Sequence, residues 1–202
     1  MADEPQAPYG LTEPGLWVER VGAQVFARGV PALFLDRDGT INVDTDYPSD
    51  PAGIVLRPQI LPAIAAANRI GIPVVVVTNQ SGVARGKYTE ADVRSLLAWV
   101  ADETRRHGGT IDDWRYCPYH PDATRDTYRQ AHPWRKPEPG MLLDLMRAWE
   151  IDPDRSVMIG DQPTDVQAAQ AAGIQGYLFP GGNLLSFARP ILDKRAGNRT
   201  PE

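Results

Sequence analysis

The sequence predicts an α/β fold: a doubly wound parallel sheet with helices on both faces. Three observations carry this. Residues 73–78 (PVVVVT) form an unbroken β-branched run, the pattern of a strand buried on both faces. Other short apolar runs alternate with helix-length stretches, which favours βαβ units over a sandwich or barrel. Finally, apolar runs end in polar clusters at 36–40, 78–82 and 160–165, and an open α/β sheet binds its ligand at the carboxyl ends of its strands.

Taken in order, residues 1–30 read as an N-terminal extension rich in Pro, Gly and Gln. Residues 31–202 form one domain. Residues 31–36 (PALFLD) are the first strand, an apolar run ending in a carboxylate. A helix is expected over 59–70, stopped by Gly71. After the strand at 73–78, Thr89 N-caps a helix that runs to about 107, with Asp92 completing a variant capping box. Residues 111–116 are a weaker strand. A loop insertion near 117–135 follows, and the whole irregular stretch to 137 carries four prolines. Then come a helix over 140–150, a strand over 156–161, a helix over 164–172 stopped by Gly173, and a last strand over 175–179. No internal repeat or low-complexity tract interrupts this.

The bulk numbers narrow the function. A chain of 202 residues, 42% hydrophobic and 23% charged, has the composition of an ordinary soluble domain with one sizeable core. The formal charge is −5 and no long Lys/Arg run is present, so nucleic acid is not the expected partner. The start, MADEPQAP, has no apolar h-region, and no apolar run is long enough to cross a bilayer. The single cysteine, Cys117, excludes an intramolecular disulfide framework. The expectation is a cytoplasmic monomer acting on a small molecule, without membrane or nucleic-acid partners.

The strand ends carry the chemistry. Asp36 and Asp38 follow the first strand, and Asp161 and Asp165 follow the fourth. Carboxylates gathered at one crevice repel one another and are costly to bury. A hard divalent cation resolves this, and oxygen-only ligands favour Mg2+. The plainer alternative, that these acids are caps and turn residues, suits any one of them but not the set. A calcium loop starting at Asp36 fails, because its sixth position is Ile41 and its twelfth is Tyr47.

DRDGTIN (36–42), TNQSGVARGK (78–87), CPYHP (117–121), RKPEPGM (135–141) and GDQPTD (160–165) together resemble the haloacid dehalogenase-like (HAD) phosphohydrolases. The match is closer to the branch holding the heptose bisphosphate and histidinol-phosphate phosphatases, and covers residues 31–180. The resemblance implies a Rossmann-like core. No large cap domain is expected, since 44–57 is too short for one. It implies Asp36 as nucleophile and Asp38 as general acid–base. Thr78 and Lys136 would contact the transferring phosphoryl group. Asp36, the Asp38 backbone carbonyl and Asp161 would hold Mg2+, braced by Asp165. Backbone amides near Asn79 and Ser81 would cradle phosphate. Substrate would meet Asp44, Asp46, Tyr47, Asn79, Gln80, Ser81 and Arg135, with Arg85 and Lys87 nearby. The substrate expected is a heptose bisphosphate or related sugar phosphate. Histidinol phosphate or another small metabolite is the alternative. A catalytically silent binding or assembly protein is the rival, and such a protein would be expected to have lost an aspartate.

Two departures stand out. The residue after the metal acid is lysine in the branch; here it is Gln162. The branch also carries a structural zinc on a Cys-x-His and a Cys-x-Cys pair. Those positions hold Cys117, Tyr119, His132 and Trp134 here. Adding His120 gives only three ligands, and a structural site uses four. Structural zinc is therefore not expected. Tyr119, Tyr128 and Trp134 are expected to pack where the metal would sit.

Overall fold

The computed structural model describes residues 28–45, 47 and 50–196. Most of the N-terminal extension lies outside them, as does Asp46. Five parallel strands form one sheet in the order β3-β2-β1-β4-β5. They are β1 (Leu33–Leu35), β2 (Val74–Asn79), β3 (Asp113–Cys117), β4 (Val157–Gly160) and β5 (Gln175–Leu178). Leu35 sits beside Val76 on one side and Ile159 on the other. The winding direction reverses between β1 and β4. That is the topological switch point, where α/β sheets open a crevice.

Alternation along the strands divides the core. Leu33, Leu35, Val74, Val76, Val157 and Ile159 face one way. They pack on α1 (Ile60–Arg69), α3 (Glu90–Arg106) and α6 (Leu184–Ala196). Phe34, Val75, Val77 and Met158 face the other way, onto α4 (Gly140–Trp149) and α5 (Pro163–Ala171). The α3 capping box forms as the sequence predicts. Asp92 N–H donates to Thr89 Oγ1 at 3.2 Å, and Thr89 N–H donates to Asp92 Oδ2 at 2.7 Å.

Two elements depart from expectation. The sequence reading ends at the strand over 175–179 and places no helix after it; α6 forms there despite the internal Pro190, with Leu184, Ala188 and Leu192 as a buried stripe. A short helix, α2 (Ser81–Ala84), forms within the stretch after β2. Between β1 and α1 the described chain holds one 3-10 turn, Pro51–Gly53, so no large cap covers the crevice.

The 117–135 loop is ordered by rings and one carboxylate. Tyr119 stacks on His132 with centroids 4.6 Å apart, and Tyr128 packs on Tyr119 at 5.8 Å. Glu90 accepts from Tyr116 Oη at 2.6 Å and Tyr128 Oη at 2.7 Å, tying α3, β3 and the loop together. His120 Nδ1 accepts from Asp122 N–H at 3.0 Å, so that nitrogen serves its own turn. No helix among the described residues is long and apolar enough to cross a membrane.

Candidate active site

The crevice is assembled by backbone that leaves no room for side chains. Asp36 follows β1, and its N–H donates to Ile159 O at 3.1 Å. Gly39 turns the chain with φ +87, and a Cβ there would fall 2.1 Å from Asp161 Oδ2. A Cβ on Gly160 would fall 2.2 Å from Asp165 Oδ2. Glycine at 39 lets the β1 loop close on Asp161 after β4, and glycine at 160 lets Asp165 fold back over the end of its own strand.

Lys136 sits at the centre. Its Nζ donates to Asp36 Oδ1 at 2.5 Å, Asp165 Oδ1 at 2.7 Å and Val77 O at 2.8 Å. Asn79 fixes the lysine's backbone: Lys136 N–H donates to its Oδ1 at 3.1 Å and its Nδ2 donates to Lys136 O at 3.0 Å. A lysine far along the chain is thereby locked to the end of β2.

Carboxylate oxygens of Asp36, Asp161 and Asp165 lie within 4.8 Å of one another. They are the only such group of metal-ligating side chains among the described residues. Burial pushes the Asp36 carboxyl up to about 8, against the pull of Lys136, and Asp165 and Asp38 add to the rise. Burial also raises Asp161, against the hydrogen bond from Gln162. Lys136 is raised too; burial alone would lower it, but Asp36 and Asp165 more than offset that. Burial thus leads both carboxyl shifts, and the neighbouring carboxylates add to it. Asp161 Oδ2 accepts from Gln162 Nε2 at 2.7 Å, while its buried Oδ1 has no hydrogen-bond partner among the described residues. A converging all-oxygen set with an orphaned carboxylate oxygen fits a hard divalent cation.

Asp38 faces a different set of partners. Its Oδ1 accepts from Arg37 Nε and Asn42 Nδ2, both at 3.0 Å. Its Oδ2 accepts from Arg37 Nη2 at 2.6 Å and Gln80 Nε2 at 2.9 Å. Gln80 is buried and also donates to Thr78 Oγ1 at 2.8 Å. Its amide is thus committed inside the protein, although the sequence reading placed it against substrate.

At the mouth, Asp44 is exposed and Ser81 is half-buried at the start of α2. Tyr47 packs 6.4 Å from Tyr88, with Lys87 Nζ 6.0 Å from its ring. Arg135 Nη1 donates to Tyr119 O at 3.3 Å, and Arg85 Nη2 lies 3.4 Å from His120 Nε2. Burial lowers His120, and Arg135 and Arg85 lower it further, which places three basic groups together. Sequence reasoning missed Arg37, Asn42, Arg57 and Tyr88. Arg37 and Asn42 stand inside the first motif, so the signal was present. Arg57 Nε donates to Gly39 O at 2.9 Å and braces the first turn, but no motif marks it.

Comparison with known proteins agrees with this geometry. A HAD-hydrolase-like family profile matches residues 133–188, the segment holding Lys136, Asp161 and Asp165. The chain is 53% identical over 197 residues to a D-glycero-beta-D-manno-heptose-1,7-bisphosphate 7-phosphatase of Mesorhizobium japonicum, covering 96% of this chain and 91% of the relative. It is 43% identical over 148 residues to the Escherichia coli protein of that name, covering 73% of this chain and 78% of the relative. A HAD-like protein of Mesorhizobium loti superposes with TM-score 0.85 at 47% identity, over 93% of this chain and 96% of that one. The D,D-heptose 1,7-bisphosphate phosphatase of B. bronchiseptica, crystallised with magnesium and phosphate, superposes with TM-score 0.69 at 32% identity, over 86% of this chain and 89% of that one. With its crevice, its acids and its lysine in one place, this chain belongs to the D-glycero-beta-D-manno-heptose-1,7-bisphosphate 7-phosphatase family of HAD-like hydrolases.

Proposed function

We propose that this chain is a Mg2+-dependent phosphomonoesterase that removes the 7-phosphate of D-glycero-beta-D-manno-heptose 1,7-bisphosphate. The observation that carries the reading is the convergence of Asp36, Asp161 and Asp165 around Lys136 at the switch point. Asp36 is the nucleophile. Its carboxylate oxygen attacks phosphorus, the ester P–O bond breaks, and the Asp36 aspartyl-phosphate forms. Asp38 gives a proton to the leaving sugar oxygen. It later takes one from the water that attacks phosphorus, which frees phosphate and restores Asp36. The four donors around Asp38 fix the orientation of its carboxyl group. Thr78 and Lys136 offset charge on the phosphoryl oxygens.

Asp36, the Asp38 carbonyl and Asp161 would hold Mg2+, with Asp165 bracing Lys136. When bound, the ion supplies positive charge that keeps the crevice carboxylates ionised and draws electron density from the phosphoryl group. Arg135, Arg85 and His120 would receive the sugar's second phosphate, since three basic groups gathered at the mouth suit an anion, and the two arginines outweigh Asp122 in their pull on His120. The same reading gives the 117–135 loop no structural zinc. Support comes from the Tyr119–His132 stack and from Trp134 N–H donating to His132 Nδ1 at 3.1 Å.

The test is a pair of substrates. With Mg2+, kcat/KM for heptose 1,7-bisphosphate should exceed that for histidinol phosphate by at least about tenfold, the scale of one hydrogen bond to a charged group. The reverse order would overturn the substrate. No Mg2+-dependent release from either would leave a binding protein.

A further inference from the structure

Tyr88 is the first residue past the TNQSGVARGK segment, and the chemistry above makes no use of it. Its ring is buried against Gly82, where an added Cβ would come 2.2 Å from ring carbon Cζ. Its hydroxyl donates to Gln80 Oε1 at 2.8 Å. That bond selects which way the Gln80 amide faces. With Oε1 committed to the phenol, Nε2 turns to the other side, where it reaches Thr78 Oγ1 at 2.8 Å and Asp38 Oδ2 at 2.9 Å. A flipped amide would set its oxygen against the Asp38 carboxylate, two acceptors face to face. Burial pushes the Tyr88 phenol well above its ordinary range, so it stays a donor at working pH.

The consequence falls on Thr78. A hydroxyl has one proton to give. Because Thr78 Oγ1 accepts from Gln80, its own proton stays available, and it is donated to none of the described residues. Thr78 is the next-to-last residue of β2, and the Gln80 amide that binds its Oγ1 also binds Asp38 Oδ2, which sets the Thr78 hydroxyl at the crevice. We propose that Tyr88 is a positioning residue for phosphoryl transfer: through Gln80, its hydroxyl aims the Thr78 proton at the transferring phosphoryl group and holds Asp38 in register. This rests on the phosphatase reading for what Thr78 and Asp38 do.

Tyr88→Phe keeps the ring and removes one oxygen. Losing a donor that touches transition-state charge costs about 10²–10³-fold. Tyr88 acts one residue removed, so kcat on heptose 1,7-bisphosphate should fall about tenfold while KM stays within about twofold. A purely structural role would lower Tm and the folded fraction but leave kcat per folded molecule within about twofold, and that result overturns the proposal. A second arm needs no turnover: trifluoroberyllate with Mg2+ mimics the phosphoryl group on Asp36 and is followed by 19F NMR. If the wild type binds this mimic yet releases no phosphate from the heptose, the substrate reading falls. The NMR arm then decides Tyr88: a shifted fluorine resonance in the variant supports it, and an unchanged spectrum overturns it. If the wild type does neither, the phosphatase reading and this proposal fall together. Should Tyr88→Phe not fold, Gln80→Glu replaces it, because a carboxylate at pH 8 repels Asp38 and cannot donate to Thr78; an unchanged kcat there overturns the proposal equally.

Discussion

The protein buries two groups of carboxylates around a single cation, and they are built differently. In the crevice, Lys136 lies between Asp36 and Asp165, with Asp161 alongside. At the sheet edge, Arg115 on β3 lies between Asp113 at 2.9 Å and Asp144 of α4 at 2.6 Å, with Asp112 next along the chain. The formal charges are the same: three acids and one base in each. What differs is direction. The crevice acids bring their oxygens within 4.8 Å of one another. The edge acids form no such converging group: Asp113 and Asp144 share Arg115, and Asp112 and Asp113 take further donors of their own. Asp113 accepts from Trp114 N–H and Trp149 Nε1, and Asp112 accepts from Val74 N–H. Converging carboxylates make a place for a cation. Those that do not converge make a brace, which here supports the neighbourhood of Lys136, because the Arg115 guanidinium lies 6.0 Å from the ring of Trp134.

Removing one member from each group should separate the two roles. Asp36→Asn keeps shape and removes the anionic nucleophile. Mg2+-dependent phosphate release should fall at least about 10⁴-fold, on the scale seen when a nucleophile is deleted. Thermal unfolding without Mg2+ should show no loss of stability, since the change relieves a buried charge. Turnover near the wild-type value would refute the covalent mechanism.

Arg115→Leu should do the opposite. It leaves Asp113 and Asp144 without their shared cation. Breaking a buried pair from one side costs about 3–5 kcal/mol. Urea unfolding should register that loss, while kcat per folded molecule changes only a few-fold. A collapse of kcat with intact stability would move Arg115 into the site.

The two groups were not equally legible in the sequence. Asp36, Asp38 and Asp161 each follow an apolar strand segment closely, and the sheet's geometry then gathers them. Lys136 was legible only through its resemblance to a motif; nothing local says that Asn79 will grip its backbone. The edge group was hidden. Asp113 and Arg115 are charged residues on what the sequence reads only as a weaker strand, yet the whole strand is buried. Their partner Asp144 lies 29 residues from Arg115, on a helix whose register only tertiary packing sets. Tyr88 was hidden for a related reason: its link to Gln80 runs back across a helix of four residues. Helix α6 carries Pro190, a helix breaker by propensity that tertiary packing overrides.

The finest test concerns how the edge manages its surplus charge. Asp112 is fully buried, its Oδ2 accepts from Val74 N–H at 2.8 Å, and its Oδ1 has no partner among the described residues. Burial pushes its carboxyl up to about 6, the Val74 hydrogen bond pulls it down, and Asp113 adds to the rise. The folded-state value lies above the ordinary 3.8, so between those two values the folded protein holds a proton that the unfolded chain has released. Stability contributed here is therefore full at low pH. It declines as pH rises through that window and is constant above it. The integrated loss is about 1–3 kcal/mol, taking 1.36 kcal/mol per pH unit as the ceiling and allowing for relaxation around the charge. Asp112→Asn can still accept from Val74 and cannot ionise. Asp113 and the crevice acids are present in both proteins, so their titrations cancel in the difference. Urea unfolding of both proteins at pH 4.5 and 7.5 should show the variant gaining about 1–2 kcal/mol relative to wild type, since the interval takes in only the upper part of the window. A difference that does not change with pH would mean that Asp112 is ionised throughout, and that burial at the edge does not hold a proton on it.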